Sequence, residues 1–256
     1  MPKLEVERRG GVWIVTINRP EVRGCIDPET ARLLGDALGA FRDAGGARAL
    51  VLTGAGGAFC SGADLGSAMD LFRDDEAGEV GPLRFARLEA GKPTIAAVEG
   101  HCLAGGLELA CWADVRIAGS SASFGVVNRR WGIPLVDGGT QRLPRIVGLG
   151  NALYLIDTGA VIGADRAREM GLVQEVVAEG GALERALELA EHVAAYPQAT
   201  LVADRASALA AQGLPLAEGL EREAREGLVA VGDGQEMAEG LRRFAEGDRP
   251  PPPRGG

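Results

Sequence analysis

One carboxylate stands within an apolar stretch of this 256-residue chain. Glu108 lies in the sequence LELACWA, where every neighbouring residue is apolar. Burial raises the pKa of a carboxyl group unless a cation pairs with it, and a general acid or base that works near neutral pH needs such a raised pKa. Glu108 is therefore a candidate proton-transfer residue. The alternative is a glutamate on a helix face that reaches solvent or an arginine.

A second candidate segment, FGVVNRRWGIPLVDGG, runs from Phe124 to Gly139 and holds one amide, Asn128, and one carboxylate, Asp137. By residue type it is a strand that runs into a turn, since Asp-Gly is a frequent turn pair. It could equally carry half of an active site. The residues of the segment alone leave both interpretations open.

Two glycine-containing turns, GGAFCSGADL (56–65) and EGHCLAGGLELA (99–110), each follow an apolar strand pattern. Ligands of open α/β folds bind at the carboxyl ends of strands, and helical sequence after each turn leaves backbone N–H groups free. Two such turns side by side could bind a carbonyl oxygen that gains negative charge, as an oxyanion hole does. Taken singly, each turn is more simply a packing turn.

The surrounding pattern alternates strands and helices and so predicts an α/β fold with parallel strands to about residue 195. Only helices are predicted after Tyr196, which divides the chain into a core, 1–195, and a helical region, 196–256, that ends in a disordered RPPPPRGG tail. The predicted strands are VWIVTIN (12–18), ALVLTG (49–54), KPTIAAVEG (92–100), DVRIAG (114–119) and GLVQEVV (171–177), and the predicted helices include 27–45 and 105–113.

The composition limits the function classes. The formal net charge of −9 argues against a nucleic-acid-binding protein. The four cysteines show no metal-binding spacing, so no metal site is expected, and they are typical of reduced residues in a cytoplasmic protein. The charged N-terminus does not fit a signal peptide, and no apolar run approaches the length of a membrane span.

Several motifs together resemble one family. GAFCSGADL (57–65), TIAAVEGHCLAGGLELACWADVRIAGSSASFG (94–125) and GGTQRLPRIVG (138–148), in this order and spacing, are similar to the enoyl-CoA hydratase/isomerase, or crotonase, superfamily. The similarity extends over nearly the whole chain. It implies a spiral of ββα units, a C-terminal helical region that forms trimers or dimers of trimers, and an acyl-coenzyme A thioester as substrate, with no further cofactor.

The resemblance also implies roles for individual residues. The N–H groups of Ala63 and Gly105 match the positions that hold the thioester oxygen, in agreement with the two glycine turns. The residues implied to bind coenzyme A or substrate are Arg23, Ala63, Asp64, Leu65, Gly66, Gly106 and Trp131. A solvated Arg23 and a core-packed Trp131 are the alternatives.

Two departures from the family pattern affect function. Many relatives carry a lysine where this chain has Gly66, so a cationic contact to the nucleotide is absent or comes from elsewhere. Hydratases of the family use two glutamates: the first matches Glu108, but the second falls on Asn128, which transfers no proton at neutral pH. Asn128 could still orient a water molecule, and Asp137 is the candidate replacement acid.

Arg129 and Arg130 could pair with Asp137, which would lower the pKa of its carboxyl group, or could mark a subunit interface. The leading hypothesis is therefore an enzyme that hydrates an enoyl-CoA or moves its double bond. The alternative is a catalytically impaired member that binds acyl-CoA or acts as a scaffold.

Overall fold

The computed structural model describes residues 1–75, 78–232, 234–249 and 252–253. Its strands are β1 (Leu4–Arg9), β2 (Val12–Ile17), β3 (Ala49–Gly54), β4 (Thr94–Val98), β5 (His101–Leu103), β6 (Val115–Gly119), β7 (Ser123–Gly125), β8 (Val161–Gly163) and β9 (Glu175–Val177). Its helices are α1 (Pro28–Asp43), α2 (Ala68–Arg73), α3 (Gly105–Trp112), α4 (Gly139–Val147), α5 (Leu149–Thr158), α6 (Ala164–Glu169), α7 (Ala182–Ala195), α8 (Gln198–Ala210), α9 (Leu216–Val231) and α10 (Gln235–Ala245).

The main sheet has six strands in the order β1-β2-β3-β4-β6-β9. Only the β1–β2 pair is antiparallel, and the remaining pairs are parallel as the sequence pattern predicts. A second sheet of three strands, β5-β7-β8, joins β5 and β7 in parallel. Because β3 and β4 run in the same direction, the two glycine turns that follow them leave the sheet at the same edge.

Both faces of the main sheet are covered, since alternate residues of each strand point to opposite sides. One face shares the larger core with α1 and α3 and includes Leu52 and Val98. The other face, which includes Val51 and Ala97, packs against α7. The α7 residues at this contact are Ala182, Ala186 and Ala190, whose spacing of four and small size let the helix lie close to the sheet.

Helix α1 has the predicted start: Asp27 accepts a hydrogen bond from the Thr30 N–H at 2.8 Å, and Pro28 occupies the first helical position. The predicted strand 171–177 is shorter than expected and contains only Glu175–Val177. Its first residues instead close the end of α6, because the N–H groups of Leu172 and Val173 both donate to the Ala167 carbonyl.

The interpretation of 124–139 as one strand running into a turn is wrong for most of its length. Only Phe124 and Gly125 belong to β7, and residues 127–131 form a 3₁₀ helix that ends at Gly132, whose φ is 69°. Glycine adopts this left-handed conformation without strain. Asn128, on this helix, and Asp137, beyond it, line the same cavity.

Helices α8, α9 and α10 follow the sheet, and none of their described residues is buried. The division at residues 195 and 196 into two domains stays a prediction. Most of the predicted disordered tail lies outside the described residues. Within the described ranges, no helix combines the length and the apolarity needed to cross a membrane.

Candidate active site

A cavity of 530 Å³ opens where the two glycine turns, α2 and the 124–139 segment meet. The predicted site residues that line it are Arg23, Ala63, Leu65, Gly105, Glu108, Asn128, Trp131 and Asp137. Apolar side chains that also line it are Leu71, Phe72, Leu83, Leu103, Ile133 and Val136. The cavity is thus mostly apolar with a few polar groups, as is usual for small-molecule sites.

Glu108 lies on the first turn of α3 and is only 3% exposed. Its Oε1 accepts two backbone hydrogen bonds, from Asp137 N at 3.0 Å and from Gly139 N at 2.8 Å. Burial and the nearby Asp137 charge raise the pKa of Glu108 to about 8, against the opposing effect of the two N–H donors. The alternative of a solvent-facing or arginine-paired glutamate is therefore wrong.

Gly139, the first residue of α4, is required for this arrangement. A methyl group at this position would lie 2.8 Å from Glu108 Cγ and 2.9 Å from Oε1. These distances are shorter than carbon contacts in packed proteins, so any larger residue would displace the glutamate. The glycine thus lets the α4 N-terminus approach the carboxyl group and fix Oε1, which leaves Oε2 for chemistry.

Asp137 is buried beside Glu108, with 2% of its surface exposed. Its Oδ1 accepts a hydrogen bond from the Leu83 N–H at 3.1 Å. Burial raises the pKa of Asp137 to about 7, and the charge of Asp75 adds to the rise while Arg142 opposes it. A carboxyl group with this environment is not an ordinary turn residue.

The suggested pairing of Arg129 and Arg130 with Asp137 is wrong. Arg129 donates to the Ile156 carbonyl and Arg130 to the Gly159 carbonyl, so both side chains point towards the end of α5. The arginine close to Asp137 is Arg142, whose guanidinium donates to the Asp137 carbonyl oxygen at 3.2 Å. The effect of Arg142 does not offset burial, and the pKa of the Asp137 carboxyl is raised rather than lowered.

The two glycine turns lie side by side, as the sequence predicts. A methyl group at Gly105 would lie 3.6 Å from Ala63 N, and one at Gly62 would lie 3.0 Å from Gly105 N. Ala104, just before α3, has φ of 51° and ψ of −121°, an uncommon conformation for a residue with a side chain. In the described part of the chain, neither Ala63 N nor Gly105 N donates a hydrogen bond to a protein acceptor.

Asn128 lies on the 3₁₀ helix at the cavity wall and is 6% exposed. Its Nδ2 donates to the Ile133 carbonyl at 2.7 Å. Its Oδ1 is buried and has no hydrogen-bond partner. Asn128 thus lines the cavity, as predicted, and the oxygen of its side-chain amide accepts no hydrogen bond from the protein.

The remaining predicted ligand-binding residues divide into two groups. Trp131 is 66% exposed, so the alternative of a core tryptophan is wrong, and it stands at the cavity mouth with Leu65. Asp64, Gly66 and Gly106 do not line the cavity. Asp64 accepts hydrogen bonds from Arg19 and from Gly66 N, while Gly106 packs against the Cys60 backbone.

Sequence reasoning did not identify Leu83, Gly139 or Arg142 as site residues. The Leu83 contact to Asp137 joins residues 54 positions apart, and no local pattern indicates it. Arg142 follows Asp137 by five residues at the start of α4, and this short separation in sequence could have indicated that the two residues lie close together. In the described ranges, no three His, Cys, Asp or Glu side chains are grouped to hold a metal ion.

The fold and this site define a member of the enoyl-CoA hydratase/isomerase class. Residues 7–252 match the family model described as "Enoyl-CoA hydratase/isomerase", and the chain belongs to this family of enzymes. The fold matches that of the family: a crystal structure of enoyl-CoA hydratase from Mycobacterium tuberculosis H37Rv superposes with a TM-score of 0.90 at 34% identity and covers 98% of each chain.

Sequence relatives agree. The chain is 38% identical to "Enoyl-CoA hydratase EchA19" of M. tuberculosis in an alignment 254 residues long that covers 96% of this chain and 94% of the relative. It is 34% identical to "2,3-dehydroadipyl-CoA hydratase" of Escherichia coli K12, with 96% of both chains covered. Enoyl-CoA hydratases are lyases, and nothing in these similarities favours the catalytically impaired alternative.

Proposed function

We propose that this enzyme acts on an enoyl-CoA thioester and holds the thioester oxygen between the N–H groups of Ala63 and Gly105. The observation that carries this proposal is the adjacency of two unused backbone donors to two buried carboxyl groups in one cavity. Donors fixed in advance stabilise the enolate oxygen that forms in the transition state. Both hydration and double-bond migration pass through such an enolate, and neither needs a cofactor besides the coenzyme A of the substrate.

In the hydration reaction, Glu108 and Asp137 divide the proton transfers. The water oxygen forms a bond to C3, its proton passes to the Asp137 carboxylate, and the electrons of the double bond move to the thioester oxygen. Glu108 then gives its proton to C2, and the carbonyl re-forms. Burial raises the pKa of both carboxyl groups towards neutral pH, so one of them can hold a proton while the other is ionised, as this division of roles requires.

Hydration of crotonyl-CoA tests this proposal, followed as the loss of ultraviolet absorbance of the conjugated thioester. A 3-enoyl-CoA, in which the double bond is one position further from the thioester, is offered in parallel to detect isomerisation. We expect turnover of at least one of the two, with the product identified by mass spectrometry. No turnover of either compound or of longer enoyl-CoA chains, with tight coenzyme A binding retained, would mean that the protein only binds its ligand.

The coenzyme A portion is proposed to leave the cavity past Leu65 and Trp131, with Arg23 near the phosphates. The exposed aromatic and aliphatic surface at the mouth supports this path. Asp64, Gly66 and Gly106 support the site by shaping the backbone of the two turns.

A cytoplasmic location is proposed as well, on the grounds that all four cysteines are free thiols.

The enzyme is proposed to form a homo-oligomer, a trimer or a dimer of trimers, through its C-terminal helices. Large apolar side chains are exposed along α9 and α10, and surfaces of this kind in soluble proteins usually bind another chain. They are Leu216, Leu220, Leu228, Val229, Met237, Leu241 and Phe244.

Light scattering coupled to size exclusion should therefore give three or six times the chain mass of 26.5 kDa. We expect a double substitution of Leu228 and Val229 to glutamate to reduce this mass, because each charge would have to be buried unpaired. Val6→Glu, an exposed apolar position on β1, is the control. A monomeric wild-type chain would contradict the proposal.

A further inference from the structure

Ala63, whose N–H group is one of the two proposed oxyanion donors, is held by main-chain hydrogen bonds on both sides. Ile26 N donates to the Gly62 carbonyl at 2.8 Å, and Asp64 N donates to the Ile26 carbonyl at 2.8 Å. The C=O and N–H groups of a trans peptide point in opposite directions, so the bond to the Gly62 carbonyl directs Ala63 N–H away from Ile26. The position of the buried Ile26 backbone therefore sets the direction of this donor.

Arg19 connects the two chain segments that meet at Ala63. Its Nη1 donates to the carbonyl of Cys25, the residue before Ile26, at 2.7 Å. Its Nη2 donates to Oδ2 of Asp64, the residue after Ala63, at 3.1 Å. The donors of a guanidinium group form a rigid planar fork, so one stiff group sets the separation of the two segments.

The guanidinium group is itself anchored to the start of α1. Its Nη2 also lies 3.4 Å from Oδ2 of Asp27. The other oxygen of this carboxylate accepts the Thr30 N–H that begins the helix, and Lys3 Nζ pairs with Oδ2 at 2.7 Å. Arg19 is thus held by a helix cap as well as by the loop that it supports, and a change in its side chain should be transmitted to that loop.

Binding of a substrate phosphate does not explain Arg19. The side chain is 11% exposed and does not line the cavity, whereas Arg23 does. Two carboxylates and a backbone carbonyl already accept from its guanidinium group, and a phosphate would have to displace at least one of them. Its contacts are all with the protein backbone and with side chains that fix that backbone.

We propose that Arg19 is a positioning residue for the reaction, which holds Ala63 N–H in line with the thioester oxygen by joining the Cys25 carbonyl to the Asp64 carboxylate. This inference rests on the proposed function and extends it. A hydrogen bond weakens steeply as its angle departs from linear, and an oxyanion hole acts through donors that are fixed before the reaction. Because the oxygen gains charge only in the transition state, a misdirected donor lowers kcat more than it weakens substrate binding.

Arg19→Gln should therefore lower kcat about tenfold on crotonyl-CoA, or on the most active enoyl-CoA found, with little change in KM. This loss is smaller than the roughly 10²–10³-fold cost of removing an oxyanion donor outright, because the N–H group remains and only its direction changes. Arg185→Gln is the matched control. Arg185 pairs with Glu175 at 2.6 Å, is 14% exposed and lies on α7 outside the cavity, so kcat should be unaffected.

Infrared spectroscopy of a bound thioester reports the donor directly. Butyryl-CoA labelled with ¹³C at the thioester carbonyl is not turned over, and its C=O stretch moves to lower wavenumber when N–H groups donate to the oxygen. The wild-type enzyme should show this shift, and Arg185→Gln should keep all of it. Arg19→Gln should lose about half, since Gly105 N–H is left in place. A variant that is only less stable would keep the full shift.

The inference is overturned if Arg19→Gln keeps the full carbonyl shift, whatever its kcat, or if it keeps the full kcat. If this variant does not fold, Asp64→Asn decides. Asparagine still offers Oδ1 to Gly66 N but loses the ion pair with Arg19, so both losses should appear, and their absence overturns the inference. In these cases the wild-type enzyme still turns over its substrate, and the proposed function stands. If bound butyryl-CoA shows no shift in the wild-type enzyme, the proposed oxyanion hole and the inference both fail.

Discussion

Glu108→Gln should lower kcat by about 10²–10⁴-fold, the usual contribution of a positioned general acid or base. The amide keeps Oε1 as an acceptor for the N–H groups of Asp137 and Gly139, so the geometry of the α4 N-terminus is preserved. Only the transferable proton is lost. The measurement is hydration of crotonyl-CoA, or of the most active enoyl-CoA found, at saturating substrate.

The same substitution should stabilise the protein at neutral and alkaline pH. The native state holds the Glu108 proton up to its raised pKa of about 8, whereas the unfolded chain releases it near the ordinary value of 4.5. Between these values the native state binds more protons, so wild-type stability falls as pH rises. Glutamine carries no such penalty. Its advantage should grow from pH 5 to pH 8 and reach on the order of 3 kcal/mol.

Thermal unfolding at pH 5 and pH 8.5 measures this difference. Glu99→Gln is the control: Glu99 also accepts a backbone hydrogen bond, from Ala182 N at 3.0 Å, and lies outside the cavity, so kcat should be unaffected. Retention of more than a tenth of the wild-type kcat by Glu108→Gln would remove Glu108 from the proton transfer. If the stability advantage of Glu108→Gln decreased as the pH rises, this result would contradict the raised pKa of the buried Glu108 carboxyl group.

The features that could be read from the sequence are local ones. The neighbours of Glu108 on both sides are apolar, so the sequence indicates a buried glutamate whichever face of α3 points inward. A glycine turn that directly follows a strand is predicted to lie at the carboxyl end of that strand. Asn128 and Asp137 were also found as candidates. The family resemblance supplied the assignment of their roles and the pairing of Ala63 with Gly105.

Long-range contacts could not be read in this way. The Asp137 carboxylate depends on Leu83 N–H, and the orientation of the Asn128 amide depends on a 3₁₀ helix within a segment whose residue types favour a strand. The sequence left two roles open for Arg129 and Arg130, pairing with Asp137 or contact at a subunit interface. Their guanidinium groups instead donate to the Ile156 and Gly159 carbonyls, and burial raises the pKa of the Asp137 carboxyl group more than the nearby Arg142 lowers it.

Asp137→Asn should also reduce kcat by about 10²–10⁴-fold, because asparagine cannot take the proton of the attacking water. The replacement keeps Oδ1 as the acceptor for Leu83 N–H, so the loop above the site should stay in place. Activity of the wild-type enzyme should show a bell-shaped dependence on pH. It rises as Asp137 ionises near pH 7 and falls as Glu108 loses its proton near pH 8.

Asp75→Asn tests whether the ionisation of Asp137 causes the rise of activity on the acid side of the pH profile, the acid limb. Asp75 lies outside the cavity, and its charge raises the pKa of Asp137. Its removal should move the acid limb to lower pH and leave the alkaline limb in place, with kcat at the optimum little changed. In Asp137→Asn the acid limb should disappear from the residual activity.

Full activity in Asp137→Asn, together with loss of activity in Asn128→Ala, would transfer the second catalytic role from the aspartate to the amide. An asparagine can orient water but cannot hold its proton, so Glu108 would then have to serve both carbons in turn. That mechanism would leave one titrating group, and the pH profile would have a single limb. The number of limbs therefore decides between a two-acid hydratase and a one-acid enzyme independently of the size of any mutational effect.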